Sequence, residues 1–342
     1  MKYILLFIVA TLISLLSTPV VKKIAIKINA IDVPKDERRV HKVPIPRLGG
    51  LSIYISFVFC TVIVFGLNSN ILGLILGSSL IVIMGIYDDI KPLKAKHKML
   101  VQIIAALILI AFNIKVNMIT VPFDSTGNFV YLNFLSIPIT LLWVVGITNA
   151  FNLIDGLDGL ATGICLISCL SLFGVAFVGD RYTAMILTLI LAGACLGFLP
   201  FNFNPAKIFL GDTGSQLLGF VLAAISIEGA IKSATAVVVA VPILALGLPI
   251  YDTLFAMIRR KMNKRPIMEA DKGHFHHKLL EKGLSQKQVV LIMYFISIVL
   301  GASSVVAMVV SPKQSFALLV IVCALILSFA IEMEIFNKKS KE

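Results

Sequence analysis

The chain has 342 residues, of which 58% are hydrophobic and only 14% are charged, and its mean hydropathy is +0.99. Soluble domains carry about a quarter charged residues, so this composition excludes a large soluble domain and predicts one integral membrane domain over residues 1–342. The net charge of +12 is explained by membrane topology and anionic lipid, and we expect no nucleic-acid partner. The five cysteines fall in apolar segments, which predicts that they are core residues and do not form a disulfide framework or a metal cluster.

Eleven apolar stretches predict an all-α polytopic membrane protein, because a helix needs about 20 such residues to cross a bilayer. The predicted spans are 3–27, 48–67, 71–87, 98–114, 135–151, 158–178, 183–200, 213–230, 234–258, 287–310 and 314–336. Between the fourth and fifth spans, residues 116–133 alternate in polarity around Asp124-Ser-Thr-Gly127. That pattern predicts a short β-hairpin outside the membrane on the extracytoplasmic side.

Lysine and arginine predict the orientation. With the N-terminus outside, the inside segments hold 25 of the 30 Lys and Arg residues. Positive residues concentrate on the cytoplasmic side of membrane proteins. We therefore expect the N-terminus outside, the C-terminus inside, and the loops after the third, fifth, seventh and ninth spans in the cytoplasm.

Three groups of acidic residues lie at the ends of predicted spans on that cytoplasmic face. They are Asp88 with Asp89, Asp155 with Asp158, and Asp212. Clustered carboxylates would repel one another and take up protons, whereas a hard cation such as Mg²⁺ or Mn²⁺ would neutralise them. Because Mg²⁺ typically uses one or two protein carboxylates, the others stay available for proton abstraction or for substrate hydrogen bonds.

A basic loop on the same predicted face carries the opposite charge. It includes five Lys or Arg residues between Arg259 and Arg265, followed by His274-Phe-His276-His277. Arginine suits bidentate phosphate contacts, and histidine donates to phosphate oxygens or shuttles protons. Acidic groups for a metal beside basic groups for an anion predict a phosphorylated substrate at the cytoplasmic face.

Each motif also has a structural interpretation. Asp212 would suit the N-cap of the eighth span, Arg259–Lys261 would suit a topology anchor, and the Asp-Gly pairs after Asn152 would suit a tight turn. Each of these explanations is tenable for one motif, but together they do not account for the convergence of all of them on one face.

Other function classes are weaker. The chain has no Walker-type Gly-x-x-x-x-Gly-Lys, no Gly-x-Gly-x-x-Gly after a strand and no His-Glu-x-x-His, so ATP hydrolysis, dinucleotide redox and zinc-protease chemistry have no support. A cation-coupled secondary transporter is one alternative, but transporters place their acidic groups at mid-membrane, and here they lie at span ends. A non-catalytic scaffold for envelope assembly is another.

Five ordered motifs resemble the polyprenyl-phosphate N-acetylhexosamine-1-phosphate transferases, the superfamily that includes phospho-MurNAc-pentapeptide translocase. The motifs are Pro46-Arg-Leu-Gly-Gly50, Asp88-Asp89 with Lys98 and Gln102, Asn152-x-x-Asp155-Gly-Leu-Asp158-Gly, Asn202-Phe-Asn-Pro-Ala-Lys-x-Phe-Leu-Gly-Asp212 and Asp271-Lys-Gly-His-Phe-His-His277. The resemblance covers nearly the whole chain. It implies that a UDP-N-acetylhexosamine reacts with polyprenyl phosphate to give the lipid diphosphate sugar and UMP.

The resemblance also implies roles for the site residues. Asp212 is the leading Mg²⁺ ligand, with Asp155 as a second, and Asp88 and Asp89 orient or deprotonate the lipid phosphate. The nucleotide is implied to bind Asn152, Asp155 and Asp158, and its uracil to lie near Asn202 and Phe209. The phosphates are implied to contact a basic set, namely Lys98, Arg265, His274, His276 and His277. Because the attacking phosphate is already ionised, we favour direct attack over a covalent aspartyl intermediate.

One motif separates the branches of this superfamily. The translocase branch has three consecutive histidines after a proline, whereas this chain has His274-x-His276-His277, as in the branch that uses UDP-N-acetylglucosamine. The resemblance therefore implies a bacterial plasma-membrane enzyme that starts teichoic acid, O-antigen or a related polymer. Transfer of phospho-MurNAc-pentapeptide stays the nearer alternative. A homodimer is one option for the oligomeric state, which the sequence does not fix.

Overall fold

The computed structural model describes residues 2–33, 44–120, 129–231, 240–266 and 273–332. Most of these residues are helical, and the helix bounds follow in chain order. They are α1 Lys2–Lys27, α2 Gly50–Phe65, α3 Ser69–Ile90, α4 Ala95–Ala111, α5 Ser136–Ile154, α6 Leu160–Val178, α7 Tyr182–Asn202, α8 Gly211–Ser226, α9 Ala240–Ala245, α10 Gly247–Met262, α11 Phe275–Glu281, α12 Gln286–Val309 and α13 Pro312–Glu332. A π-helical turn, Ile227–Ile231, extends α8.

Where the structure describes the predicted spans, they lie largely in helices, and seven helices in the described part of the chain are long and apolar enough to cross a membrane. The chain is thus a polytopic membrane protein, while the count of eleven spans stays a prediction. The predicted ninth span is divided, because α9 ends at Ala245 and α10 begins at Gly247. Pro249 has no N–H with which to bond the carbonyl of Ala245, so one continuous helix would lose a hydrogen bond there.

Helix α8 lies at the centre of the molecule. It packs against α3 and α5 and also against α2, and the residues from Thr213 to Ser226 are buried. A helix that is buried all round suits the middle of a bundle rather than its lipid-facing surface. The polar first turn of α8, which contains Asp212, is therefore fixed by its neighbours.

Glycines allow three helix ends to meet at that first turn. A Cβ at Gly50, where α2 begins, would lie 2.1 Å from Cα of Gly214, and a Cβ at Gly85 of α3 would lie 2.4 Å from Cα of Thr213. No side chain fits at either distance. The close approach brings the end of α3, which carries Asp88 and Asp89, to the start of α8.

Two short antiparallel ribbons complete the described fold. Strand β1 (Ile31–Asp32) pairs with β2 (Ile45–Pro46), and a bridge between Arg47 and Phe209 continues this ribbon toward α8. Strand β3 (Met118–Thr120) pairs with β4 (Phe129–Tyr131) at the position of the predicted hairpin. The residues between β3 and β4, 121–128, lie outside the described part, and the membrane side of this ribbon stays a prediction.

Candidate active site

Asp89, near the C-terminal end of α3, holds the N-terminus of α8. Its Oδ1 accepts the Asp212 N–H at 2.9 Å, and its Oδ2 accepts the N–H and hydroxyl of Thr213 at 3.1 and 2.7 Å. Nε of Arg47 donates to Oδ1 at 3.1 Å. The carboxylate satisfies N–H groups that a helix start leaves unpaired, and a negative charge is favourable at that end. Four hydrogen bonds occupy both oxygens, which fits a residue that positions Asp212.

Asp88 faces Lys98 instead. Nζ of Lys98 lies 2.7 Å from Oδ2 of Asp88 and 2.5 Å from Oδ2 of Asp212, and the Leu93 N–H donates to Oδ1 of Asp88 at 2.6 Å. An ammonium group thus bridges two carboxylates that come from different helices. This is the arrangement of charge that a divalent cation would also satisfy.

A chain of carboxamides orients Asp212 from inside the bundle. Gln216, one turn along α8, donates to Oδ2 of Asp212 at 3.2 Å and accepts from Nε2 of Gln102 at 2.9 Å. Asn149 of α5 donates to Oε1 of Gln102 at 2.8 Å. Buried polar groups are costly unless they are paired, so this network connects α4, α5 and α8 in one geometry.

Asn152 and Asp155 extend the site to the end of α5. Nδ2 of Asn152 donates to Oγ of Ser215 at 2.9 Å, which ties this end to α8. Desolvation, followed by the negative charges of Asp212 and Asp89, raises the pKa of Asp155 to about 8. Burial is the main cause of this shift in the pKa of Asp155, and the neighbouring carboxylates add to it.

These carboxylates fit a magnesium ion of the kind that uses few protein ligands. In the described ranges, no three His, Cys, Asp or Glu side chains are arranged as a ready metal site. Asp212 and Asp88 nevertheless offer hard oxygen donors around one cation position, and burial together with the neighbouring carboxylates raises the pKa of Asp155 to about 8. Mg²⁺ commonly binds through one or two carboxylates and completes its shell with water and phosphate oxygens.

Asp158, Asn202 and Phe209 make structural contacts around the loop between α7 and α8. Oδ2 of Asp158 accepts from Nδ2 of Asn204 and from the Ala206 N–H, both at 3.0 Å. Buried Asn202 accepts from Thr162 at 2.8 Å, and the Phe209 carbonyl accepts from the N–H of Gly49 at 2.9 Å. These contacts fix the loop that leads to Asp212, and the predicted nucleotide contacts of the three residues stay predictions.

The histidine segment meets the loop after Asp155. A Cβ at Gly156 would lie 2.4 Å from Nε2 of His276, so only glycine leaves room for this ring. The ring of His276 is stacked on that of His274 at 5.8 Å, and its centroid is 4.2 Å from that of His277. Burial lowers the pKa of His276 to about 3, so the ring is neutral at physiological pH. Its buried Nδ1 has no hydrogen-bond partner among the described residues.

The basic residues before this segment divide into two groups. Arg259 and Arg260 are buried, and NH1 of Arg259 donates to the Gly273 carbonyl at 2.8 Å. Arg265 is exposed just beyond the end of α10. Residues 267–272, between Arg265 and the histidines, lie outside the described part, so the predicted contact of Arg265 with phosphate stays a prediction.

Sequence reasoning missed three residues of this centre. Arg47 binds Asp89, Gln216 binds Asp212, and Asp252 of α10 binds His274. Asp252 could have been found, because an ionisable residue inside an apolar stretch is a functional candidate. Arg47 lies inside the Pro46–Gly50 motif, but no pattern in the sequence links it to Asp89, 42 residues away. Gln216 lies one turn after Asp212, and the sequence does not show that its side chain contacts that carboxylate.

Known proteins are similar in sequence to this chain over most of its length. The sequence profile of glycosyl transferase family 4 matches residues 71–230. A Bacillus subtilis protein named "Probable undecaprenyl-phosphate N-acetylglucosaminyl 1-phosphate transferase" is 43% identical over 307 residues, covering 89% of this chain and 85% of its own length. A Thermotoga maritima protein named undecaprenyl-phosphate alpha-N-acetylglucosaminyl 1-phosphate transferase is 32% identical, covering 83% of this chain and 84% of its own.

The other branch is also similar to this chain, over a smaller share of it. A Staphylococcus epidermidis phospho-N-acetylmuramoyl-pentapeptide-transferase is 32% identical over 280 residues, which cover 75% of this chain and 83% of its own length. High identity to the Bacillus protein over most of both chains, together with the family profile across the acidic motifs, settles the relationship. The chain belongs to glycosyl transferase family 4, the family of the polyprenyl-phosphate N-acetylhexosamine-1-phosphate transferases.

Proposed function

We propose that this protein transfers N-acetylglucosamine 1-phosphate from UDP-N-acetylglucosamine to undecaprenyl phosphate and releases UMP. The observation that carries the proposal is the centre in which Asp88, Lys98 and Asp212 join three helices. Such a centre suits the meeting of two phosphorylated substrates. The printed name of the Bacillus relative, at 43% identity, supports this donor and acceptor.

The reaction moves one phosphoryl group. An oxygen of the lipid phosphate attacks the β-phosphorus of the donor, the bond from that phosphorus to the bridging oxygen breaks, and UMP leaves with the electron pair. The attacking oxygen is already ionised at neutral pH, so little base catalysis is needed. The chief obstacle is repulsion between anions, which positioning and positive charge reduce.

The protein's own groups divide this work. Asp212 and Asp88 are the residues that would hold Mg²⁺, with Asp155 as a third candidate, and the bound ion would neutralise phosphate oxygens. Lys98, which contacts both Asp88 and Asp212 in the structure, supplies a positive charge beside these carboxylates. Asp89 keeps Asp212 in position through the start of α8. His276 is neutral, and its buried Nδ1 has no hydrogen-bond partner among the described residues.

The topology belongs to the same proposal. With the N-terminus outside, the ends of α3 and α5 and the start of α8 face the cytoplasm, where nucleotide sugars are found. The product would then start a cell-envelope polysaccharide or teichoic acid. The excess of Lys and Arg in the inside segments supports this orientation.

The test is the identity of the lipid product. Detergent-purified protein would receive undecaprenyl phosphate, Mg²⁺ and one donor at a time: UDP-N-acetylglucosamine, UDP-N-acetylgalactosamine or UDP-MurNAc-pentapeptide. Mass spectrometry of the lipid fraction should show the N-acetylglucosamine diphosphate lipid, and Asp212→Ala should abolish it. Product from the pentapeptide donor alone would assign the chain to the other branch. Folded protein that makes no lipid product from any donor would overturn the proposal.

A further inference from the structure

Asp252 is a buried carboxylate that the mechanism above does not use. It lies on α10, and 2% of its surface is exposed. Oδ2 lies 2.7 Å from Nδ1 of His274, and Oδ1 accepts the N–H of Phe275 at 2.9 Å. Isolated charges are rarely buried, since desolvation costs several kcal/mol per ion unless hydrogen bonds compensate. The contacts of Asp252 are therefore the reason that such a residue is tolerated in α10.

Two more side chains on the same face of α10 hold the same segment. Phe255 packs its ring edge-on against Phe275 at 5.9 Å, and NH1 of Arg259 donates to the carbonyl of Gly273 at 2.8 Å. The spacing of three and seven residues from Asp252 puts all three on one helix face. Helix α10 thus fixes three consecutive residues, 273, 274 and 275, at the entry to α11.

The contact between Asp252 and His274 also determines which ring nitrogen of His274 is protonated. An ionised carboxylate only accepts hydrogen bonds, so Nδ1 of His274 must carry the proton that lies between them. This excludes the neutral form of His274 that is protonated on Nε2 alone. Among the described residues, nothing donates to or accepts from Nε2 of His274. That nitrogen is left for a ligand, and the ring is stacked on His276, which contacts Gly156.

We propose that Asp252 is a positioning residue that sets the tautomer and direction of His274, so that Nε2 of this histidine is presented to the phosphates of the substrates. The identity of those phosphates rests on the proposed function, whereas the assignment of the His274 tautomer does not depend on it. Partners that orient a metal-bound histidine commonly change activity by about 10- to 100-fold when they are replaced, and we expect an effect of that order here.

The test begins with Asp252→Asn, which has the same shape. Its Oδ1 can still accept the Phe275 N–H, but its amide nitrogen can only donate to Nδ1, which moves the imidazole proton to Nε2. Nitrogen-15 NMR of histidine-labelled protein distinguishes the two tautomers directly. The spectrum is simple because the chain has only five histidines. We expect the His274 signals to change from the Nδ1–H form to the Nε2–H form. The control is Thr253→Val, a change of similar size at the neighbouring position of α10.

Turnover is measured on the same variants. We expect kcat to fall about 10- to 100-fold in Asp252→Asn, with the KM for UDP-N-acetylglucosamine changed by less than about threefold, while Thr253→Val stays near wild type. In a His274→Gln background, the Asp252→Asn change should cost nothing further, because its effect acts through that ring.

Three results would overturn the inference. They are an unchanged His274 tautomer in Asp252→Asn, turnover equal to that of Thr253→Val, or a full additional loss in the His274→Gln background, which would mean that Asp252 acts through another route. An inactive wild type with an intact Nδ1–H tautomer would count against the proposed function instead. The two failures are therefore distinguishable.

Discussion

Asp88 and Asp89 are neighbours in the sequence but face different partners. Successive residues on a helix point about 100° apart, as 3.6 residues per turn require, so Asp89 faces the backbone of α8 and Asp88 faces Lys98. The side chain of Asp89 is 0% exposed and has four hydrogen bonds. The geometry thus favours a structural task for Asp89 and a chemical task for Asp88.

This division predicts different effects of the two Asn variants. Asp89→Asn should lower the free energy of unfolding by about 1–3 kcal/mol, because an amide cannot accept at both oxygen positions and buried donors lose their partner. Asp88→Asn should lower turnover at saturating Mg²⁺ with a smaller loss of stability, since Lys98 keeps its contact with Asp212. Thermal melts and initial rates of both variants check this. Equal loss of stability in the two variants would contradict the division.

Asp155 makes the stability of the metal-free protein depend on pH. Its pKa is raised to about 8 in the fold, whereas an unfolded Asp titrates near pH 4. The folded state therefore binds the extra proton between these values, and stability must fall as the pH rises from about 4 to about 8.

The measurement is the melting temperature in EDTA at pH 5 and pH 8. Wild type should melt lower at pH 8, and Asp155→Asn, which has no proton to release, should show a smaller difference. Added Mg²⁺ should raise the pH 8 value of wild type more than that of the variant. An identical pH dependence in both proteins would show that Asp155 is not the group responsible.

At the scale of elements, the contact between the α5–α6 loop and the histidine segment depends on one glycine. A Cβ at Gly156 would lie 2.4 Å from Nε2 of His276, whereas a Cβ at Gly146 in α5 would meet nothing within 4 Å. Gly156→Ala must therefore displace the histidine ring or the loop. Gly146→Ala gains the helix preference of alanine, worth about 0.5–1 kcal/mol.

We expect Gly156→Ala to lower kcat/KM by at least about tenfold, because a displacement of about 1 Å in a positioned group can cost much more than that. Gly146→Ala should keep wild-type activity and melt at the same or a higher temperature. Steady-state rates and thermal melts of the pair are sufficient. Normal activity in Gly156→Ala would mean that the observed contact of His276 is not needed for turnover.

The apolar pattern predicted the helices well because long runs of hydrophobic residues have few alternatives in a membrane. It did not predict the break between Ala245 and Gly247, where the run itself continues. The short helix α11 was also missed, since its seven residues are too few for a periodic pattern. Both features depend on local backbone chemistry and on contacts with other helices.

Part of the candidate site could be predicted from the sequence for a similar reason. Carboxylates at the ends of apolar runs stand out, and Asp88, Asp155 and Asp212 do lie in one neighbourhood, as the raised pKa of Asp155 and the bridge through Lys98 indicate. The sequence could not assign tasks within this group. Whether Asp89 faces a substrate or the start of α8 depends on helix packing through Gly50 and Gly85, which only the fold reveals.

For the whole molecule, the distribution of positive charge predicts which ends face the cytoplasm. Lys261 is exposed in the last turn of α10, and Tyr131 is 66% exposed in β4. In intact cells, a membrane-impermeant thiol reagent should label Tyr131→Cys and should leave Lys261→Cys unlabelled until the cells are opened. The native cysteines are buried or partly buried, so unsubstituted protein provides the background. The opposite labelling pattern would invert the proposed topology.

The most direct test of the account is UMP release by purified protein with UDP-N-acetylglucosamine and Mg²⁺, with and without undecaprenyl phosphate. Direct transfer at the centre formed by Asp88, Lys98 and Asp212 predicts one UMP per lipid product, and none when the lipid phosphate or Mg²⁺ is withheld. A stoichiometric burst of UMP without lipid would indicate a covalent enzyme intermediate. Continuous release without lipid, or no release under any condition from folded protein, would contradict the central claim.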